Sequence, residues 1–389
     1  MAERRRIESI DVLRGVVMIV MALDHVRDFF GAPGNPANPA TASAALFFTR
    51  WITHICAPTF FALTGVGACL ARHTRPTREL STYLFTRGLW LIVLELTLLR
   101  CFGYQFNVDY RVLLLIILWA LGWAMITLSA LVYLPVWAVG GFGVAMIATH
   151  NLFDGVRAAS FGAFAPLWSV LHAQNVIVST PRIVVFVAYP IVPWIGVTAA
   201  GYAFGQVFEW EPERRRAFLL RFGLAVTAAF FVLRTINLYG DPVRWTTQAT
   251  PLRTVLSYIN TTKYPPSLLF LLMTLGPASL LLRALDRGTP SWLRPAHTLG
   301  TVPLFYFILH LPLIHLLAVV VCYARYGAVH WMFESPTLDR FPMTFPPGWP
   351  VSLPAVYGIW ALVVAMLYPA CRWYAALKRR RRDAWLRYI

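Results

Sequence analysis

The sequence predicts an all-α fold, a polytopic bundle of transmembrane helices. Of its 389 residues, 58% are hydrophobic and 13% are charged, whereas soluble domains carry about 25% charged residues. Apolar runs of roughly 20 residues recur along the chain, and each is long enough to cross a hydrocarbon core of about 30 Å as a helix. The basic residues also concentrate in alternate connecting segments. These observations leave no room for a large soluble domain, so we treat residues 1–389 as a single transmembrane domain.

Ten spans account for the apolar runs, and an eleventh stays open. Their predicted bounds are 10–30, 47–71, 82–101, 112–133, 135–150, 183–206, 217–239, 265–284, 300–323 and 353–376. The turn between the fourth and fifth spans, around Leu134 and Pro135, is short and uncharged. One fused span there would reverse the direction of every later helix. We predict two spans, because fusion would destroy the charge bias described next.

The distribution of positive charge predicts that both chain ends lie in the cytoplasm. With the N-terminus inside, the inner segments hold 21 of the 34 basic residues and the outer segments hold 8. Such a bias is typical of cytoplasmic loops. The basic run from Lys378 to Arg382 begins a cytoplasmic tail, residues 377–389, which we expect to contact anionic membrane lipids. The net charge of +17 is therefore explained by topology, and no nucleic acid partner is expected.

Cysteine and histidine spacing gives no reason to expect a metal. The five cysteines lie in or beside apolar runs and form no CxxC pair. No HxH or HxxxH pair supplies two ligands from one helix. In span six, Pro190 and Pro193 predict a kink at the outer end, and Gly201 and Gly205 predict close helix packing. That GxxxG pair fits internal packing or a homodimer equally well.

Charged residues in span one are the strongest indication of function. Placing a charged side chain near the bilayer centre costs at least about 2.5 kcal/mol. At 100° per residue, Asp11, Arg14, His25 and Asp28 share one face of the helix. Asp11 and Arg14 are three residues apart and can pair near the inner boundary, where Arg14 is also suited to bind a phosphate or carboxylate. The alternative is a helix-end ion pair that reaches the interface.

His25 is the candidate base in this stripe. It lies about 16 Å farther out than Arg14, at 1.5 Å per residue. Asp28, one turn beyond it, or the adjacent Asp24 is placed to fix its tautomer. The alternative is a histidine that pairs with a carboxylate only to hold two helices together.

Other polar residues are predicted at a similar depth. His54, His310 and Asn151, which follows His150, belong to three further spans. Tyr306 lies in the same span as His310, and Lys263 lies just before span eight. Each histidine taken alone is more typical of a bridge between helices. Their common depth favours a polar cavity in the outer half of the membrane. The segment with Lys263 also fits a helix cap with an interfacial anchor.

Several motifs resemble the bacterial branch of the heparan-alpha-glucosaminide N-acetyltransferase-like membrane proteins. The first two are Ser9-Ile-Asp-Val-Leu-Arg-Gly15 and Met21-Ala-Leu-Asp-His25-Val-Arg27. The resemblance continues nearly to the end of the chain, through His54 to Gly65, His150-Asn151, Tyr189-Pro190, Trp194 to Gly196, Gly201-Tyr202, Lys263 to Ser267, and Pro303 to Tyr306 with His310.

This resemblance implies an acyltransferase of a bacterial inner membrane. Acetyl-CoA would enter from the cytoplasm, and a sugar or glycan amine or hydroxyl would receive the acetyl group at the opposite face. Accordingly we expect His25, oriented by Asp28 or Asp24, to act as general base or to carry the acyl group briefly. Arg14, with Asp11, would bind the donor. The acceptor would be contacted by His54, His310, Asn151, Lys263 and Tyr306.

Two other functions fit the same residues. A secondary transporter or flippase would use the intramembrane Asp, Arg and His as a proton relay or substrate site. It would move substrate across liposomes without forming an acyl product. A lipid-interacting assembly protein would show neither flux nor thioester consumption.

Overall fold

The computed structural model describes residues 7–32, 34, 36–38, 41–381, 383, 386 and 388. Nearly all of its regular structure is helical, which confirms the predicted fold class. The α-helices are α1 Glu8–Phe30, α2 Ala44–Ile52, α3 Cys56–Ala71, α4 Thr77–Leu94, α5 Ile117–Leu131, α6 Val136–Thr149, α7 Ala165–Leu171, α8 Ile191–Phe204, α9 Pro212–Ile236, α10 Pro251–Ile259, α11 Leu268–Leu285, α12 Arg294–Gly300, α13 Pro303–Tyr326 and α14 Leu353–Arg380.

Each of the ten predicted spans contains one long helix. Within the described residues, eight helical segments are long and apolar enough to cross a membrane. One of them, Ala44–Ala71, joins α2 and α3 through the 3-10 turn Thr53–Ile55. The other two predicted spans are α1, which carries charged residues along its length, and the 15-residue α5. Because α5 ends at Leu131 and α6 begins at Val136, the fourth and fifth spans are separate, as predicted.

Two predicted spans begin later than expected because their first residues form strands. The strands are β1 Val112–Leu115, β2 Asn175–Ser179 and β3 Val184–Val187, in the order β1-β3-β2. β1 and β3 run parallel, and β2 and β3 run antiparallel. Short runs of Val, Ile and Leu look alike in a buried strand and a buried helix. The apolar runs at 112–133 and 183–206 were therefore each predicted as one helix, although they contain β1 with α5 and β3 with α8.

Helix α8 packs closely on α3 through the glycines singled out above. A Cβ atom on Gly201 would lie 2.3 Å from the Ala62 carbonyl oxygen, and one on Gly205 would lie 2.5 Å from the Cys69 Cβ. Both distances are too short for a side chain, so the close packing is confirmed and occurs within the chain. The predicted kink is absent, since α8 begins at Ile191, directly after Pro190.

Helix α1 lies inside the bundle and contacts α3, α11, α12, α13 and α14. Its closest neighbour is α12. A Cβ atom on Gly15 would lie 1.7 Å from the Ala296 carbonyl oxygen, and one on Gly300 would lie 1.8 Å from the Asp11 carbonyl oxygen. The two backbones therefore touch beside Arg14. Consequently Asp11, Asp24 and Arg27 of α1 are buried against protein groups.

Residues predicted at one side of the membrane also group together in the structure. Arg14, Arg75, Arg87 and Lys378, all predicted at the inner side, line one cavity. A second cavity joins residues predicted at the outer side, including Arg50 and Lys263. This grouping is what one consistent orientation requires. Arg4 to Arg6, Arg382 and Arg387, which contribute to the predicted charge bias, lie outside the described residues.

Candidate active site

Two polar cavities meet at His25 on the predicted outer side. The first, of about 150 Å³, is lined by Asp24, His25, Arg50, Lys263 and Tyr264, among other residues. The second, of about 260 Å³, shares His25, Arg27, Asp28 and Tyr104 with the first. Together they reach the size of small-molecule sites, roughly 300–1,000 Å³. We call them jointly the outer cavity.

His25 is paired with a second histidine. Its Nδ1 lies 2.6 Å from Nε2 of His310 on α13. The two rings stack with their centroids 4.9 Å apart and their planes inclined by 24°. His310 is fully buried, and its Nδ1 lies 2.6 Å from the Phe307 carbonyl oxygen. The sequence placed both histidines at the same depth, and the structure brings them into direct contact.

The Phe307 carbonyl fixes the proton positions along this pair. A carbonyl only accepts, so His310 Nδ1 carries a proton, and the neutral ring then has its lone pair on Nε2. That lone pair accepts the Nδ1 proton of His25, which leaves the His25 lone pair on Nε2. His25 therefore has a defined tautomer with its lone pair on Nε2, and its side chain lines the outer cavity.

The carboxylates expected to orient His25 pair with arginines instead. Asp24 accepts from Arg27 at 2.9 Å and also forms an ion pair with Arg50 of α2. Asp28 accepts from Arg27 at 2.6 Å. His310 therefore takes the orienting position that the sequence assigned to Asp28 or Asp24. Arg50 reaches Asp24 from another helix, a contact that spacing within α1 does not reveal.

The network around His25 is charge-balanced. Asp24 and Arg27 are buried, with exposed fractions of 8% and 7%, while Asp28 is exposed. Removing one partner from a buried ion pair costs about 3–5 kcal/mol, because the remaining charge is left uncompensated. Two carboxylates opposite two guanidinium groups avoid that cost. The histidine pair thus lies beside charges that largely cancel.

The strands and a buried glutamate position the opposite wall of the outer cavity. The Leu115 carbonyl at the end of β1 accepts from the backbone N–H of Ala188 and of Tyr189, after β3. Glu95 accepts from the Leu118 N–H at 2.7 Å in the first turn of α5, where a carboxylate offsets the helix dipole. Ile116, Ile117 and Tyr189 are held against the cavity in this way.

Lys263 and Tyr264 reach the outer cavity from the turn before α11. Asp241 stabilises this turn by accepting from the Thr262 N–H at 2.9 Å and from the Ser267 hydroxyl at 2.7 Å. Burial opposes ionisation of the Tyr264 hydroxyl, but the cations of Lys263 and Arg50 outweigh it and lower its pKa. The cavity therefore has a positive potential at this wall.

Four of the five predicted acceptor contacts do not line the outer cavity: the buried His310 described above and the three that follow. His54 is buried with its ring edge-on to Phe270, 5.3 Å between centroids, and does not line the outer cavity. Asn151 accepts from the Leu268 N–H and donates to Asp154, both at 2.8 Å, so its amide fixes the start of α11. Tyr306 is fully buried and stacks on His310 at 5.6 Å between centroids.

The inner cavity surrounds Arg14 and measures about 350 Å³. Arg14 donates to Asp11 at 2.9 Å and to the Gly300 carbonyl at 3.3 Å, which the close contact between α1 and α12 makes possible. Arg75, Arg87 and Lys378 join it from three other segments. Sequence reasoning counted these three residues only as topology signals, because the positive-inside rule already explained them.

The two cavities come within one helical turn of each other. Ile117 lines both the inner cavity and the outer one. Along α1, Met18 lines the inner cavity and Met21 lines the outer one. A thin apolar layer therefore separates a basic cavity on one side from a histidine-containing cavity on the other.

The first part of the chain, which contains His25 and Arg14, matches a known protein family. Residues 6–238 match the family model for the catalytic region of heparan-alpha-glucosaminide N-acetyltransferase. The chain belongs to this family. It is therefore a multi-pass membrane protein of an acetyltransferase family. A search of curated proteins found none that matches.

The matched region contains only some of the residues of the candidate site. It contains Asp11, Arg14, His25 and Arg50, whereas Lys263, His310 and Lys378 follow it in the chain. His25 and part of each cavity thus come from the matched region. His310 and one wall of each cavity come from the part of the chain that follows.

Proposed function

We propose that this protein transfers an acetyl group from acetyl-CoA in the inner cavity to an amine or hydroxyl of a sugar or glycan in the outer cavity. The inner cavity would face the cytoplasm of a bacterial cell and the outer cavity the opposite face of its inner membrane. The main observation behind the proposal is the His25–His310 pair, in which His25 lies where the two parts of the outer cavity meet. Ile117, shared by both sides, gives the acetyl group a short path.

The inner cavity suits the donor because of its charge. The phosphates of acetyl-CoA are anionic, and Arg14, Arg75, Arg87 and Lys378 supply four cations. Arginine binds phosphate through two parallel N–H groups, and lysine contributes a point charge. With the phosphates held near Arg14, the pantetheine arm would extend about 16 Å along α1 toward His25. The thioester would then pass the apolar layer at Ile117.

His25 would act on the acceptor as a general base. Its Nε2 would take a proton from the acceptor amine or hydroxyl while the acceptor nitrogen or oxygen attacks the thioester carbonyl carbon. The new C–N or C–O bond forms, the C–S bond breaks, and the thiolate of CoA takes up the proton that His25 releases. His310 would accept from His25 Nδ1 throughout and so stabilise the imidazolium.

The positive wall would stabilise the transition state. Negative charge develops on the carbonyl oxygen during attack, and fixed cations or donors near that oxygen lower the barrier. Lys263, Tyr264 and Arg50 line the cavity around His25. They would also help to orient sugar hydroxyl groups. A brief acyl-histidine at His25 Nε2 would use the same groups.

The test follows free thiol release from acetyl-CoA by protein in lipid nanodiscs, with a panel of amino sugars and glycans as acceptors. We expect His25→Ala to lower kcat by roughly 10²–10⁴-fold, the range for loss of a general base. The matched control is His330→Ala, because His330 is an exposed histidine outside both cavities.

Two results would count against the proposal. Thiol release by a folded His25→Ala protein at the wild-type rate would remove His25 from the reaction. Wild-type protein that neither binds acetyl-CoA nor releases thiol, yet moves a substrate across liposomes, would instead indicate a transporter.

A further inference from the structure

A second polar cluster lies apart from both cavities, at the residues that follow α6 and α7. Its members are His150, in the 3-10 turn His150–Phe153 that follows α6, with Asp154 and His172. One ligand atom from each residue lies within 4.8 Å of the others. None of the three lines the inner or outer cavity. The proposed acetyl transfer therefore does not use this cluster.

His150 is the residue that most requires an explanation. Its side chain is 2% exposed, and neither ring nitrogen makes a hydrogen bond within standard geometry, although the Pro266 carbonyl approaches the ring. Buried polar atoms almost always have partners, because desolvation without compensation is costly. A buried imidazole without a hydrogen bond, next to another histidine and a carboxylate, therefore indicates that a bound metal ion is the missing partner of its ring nitrogen.

The other two side chains are oriented in the way that metal ligands usually are. His172 Nε2 donates to the His150 carbonyl oxygen at 2.8 Å, so the lone pair of the neutral ring is on Nδ1. The Asn151 amide donates to Asp154 Oδ2 at 2.8 Å and is itself fixed by the Leu268 N–H. Metal-bound histidines typically donate their second N–H to a carbonyl or carboxylate, and bound carboxylates are hydrogen-bonded too.

We propose that His150, Asp154 and His172 bind one Zn²⁺ ion. Two imidazole nitrogens and one carboxylate oxygen are common zinc ligands, and water would complete the tetrahedron. Ligand atoms around tetrahedral zinc are about 3.3 Å apart, given bonds of about 2.0–2.1 Å. The three atoms here would have to approach by no more than about 1.5 Å, which side-chain rotation provides.

The ion would serve a structural purpose. It would tie the outer end of α6 to the residue that follows α7. Through Asn151 and Leu268 it would also connect to the turn that carries Lys263 and Tyr264. Zinc would thus stabilise one wall of the outer cavity without taking part in the reaction. Sequence spacing did not reveal the site, because His172 lies 22 residues from His150 and belongs to a different helix-end segment.

The experiment measures zinc binding by full-length protein in nanodiscs after removal of metal with a chelator. Competition with a fluorescent zinc chelator gives stoichiometry and affinity for wild type, His150→Ala, His172→Ala and the control His330→Ala. We expect wild type and the control to bind one Zn²⁺ that both cluster variants bind at least about tenfold more weakly. Equal zinc binding by wild type and the cluster variants would overturn the proposal.

Two further measurements keep the test decisive if the alanine variants do not fold. Wild type loaded with Co²⁺ should show the visible absorption of tetrahedral coordination, and Zn²⁺ should raise the Tm of wild type. The variant His172→Cys, which keeps a zinc ligand, should retain the Tm increase. Wild-type protein that binds no zinc, or whose Tm does not respond to zinc, would refute the site whatever the variants do.

Discussion

The inner and outer cavities both lie along α1, but they differ in charge. The charged side chains that line the inner cavity are positive, whereas the outer cavity contains ion pairs. Arg14, Arg75, Arg87 and Lys378 line the inner cavity, and none of the described residues that line it is acidic. In the outer cavity, Asp24 and Asp28 face Arg27 and Arg50, so that the charges largely cancel around His25.

Under the proposed function, this difference would suit the two cavities to different tasks. An excess of positive charge near the membrane surface attracts an anion and holds it. Balanced charges next to the histidine pair would leave His25 available as a base, while Lys263 adds positive charge only at one wall of the outer cavity. Substitutions in the outer cavity should therefore change kcat, and substitutions in the inner cavity should change KM for acetyl-CoA.

After His25→Ala, the largest effect is expected from His310→Ala. Without His310 Nε2 as acceptor, the tautomer of His25 is no longer fixed, and we expect kcat to fall by roughly 10²-fold or more with little change in KM for acetyl-CoA. His310→Gln places an amide oxygen near the position of Nε2 and should recover part of kcat. Steady-state thiol release across a pH series measures both variants. Wild-type kcat in folded His310→Ala protein would reduce His310 to a bridge between α1 and α13.

A smaller effect is expected from Arg87→Ala and Lys378→Ala. Each removes one cation from the inner cavity, and we expect KM for acetyl-CoA to rise by roughly tenfold, since hydrogen bonds to charged groups contribute about 1.5–3 kcal/mol before solvent screening. The increase should shrink at high salt. Arg379→Ala is the matched control, because Arg379 is exposed on the next position of α14. A comparable change in that control would attribute the effect to net charge alone.

The smallest effect on turnover is expected from Gly15→Ala. The added Cβ would meet the Ala296 carbonyl at 1.7 Å and push α12 away from α1. Overpacking of this kind costs about 1–3 kcal/mol, so Tm should fall while kcat of the folded fraction stays near wild type. Gly141→Ala in α6 is the control, because a Cβ there meets nothing within 4 Å and Gly141 lines neither cavity. Thermal unfolding in nanodiscs measures the Tm of both variants. An unchanged Tm for Gly15→Ala would mean that α12 can move away from α1 without loss of stability.

Hydropathy was sufficient for the helices and insufficient for the strands. A run of about 20 apolar residues has few alternatives to a helix in lipid, so each of the ten predicted spans contains a helix, and eight of these helical segments are long and apolar enough to cross a membrane. Val112–Leu115 and Val184–Val187 adjoin such runs and have the same apolar character. Their strand structure depends on pairing between segments about 70 residues apart, which local pattern does not contain.

Residues on one helix were predicted better than contacts between helices. The period of α1 placed Arg14 and His25 on one face, and each lines a cavity. The partners of His25 were assigned to the neighbouring carboxylates, but His310 lies 285 residues away. His54 was predicted to face the same cavity, but its ring packs against Phe270 of α11. The direction of a side chain depends on neighbouring helices, which the period of one helix does not contain.

The apolar layer at Ile117 also affects how well the membrane is sealed against ions. Because one apolar layer separates the two cavities, most of a transmembrane voltage would fall across that layer. Moving one elementary charge through it would then involve about 2.3 kcal/mol per 100 mV. An acetyl group is uncharged and would cross without electrical work, whereas protons and the phosphates of the donor would be held back. Under the proposed function, the same side chain that lets the acyl group pass would keep the bilayer sealed against ion leakage.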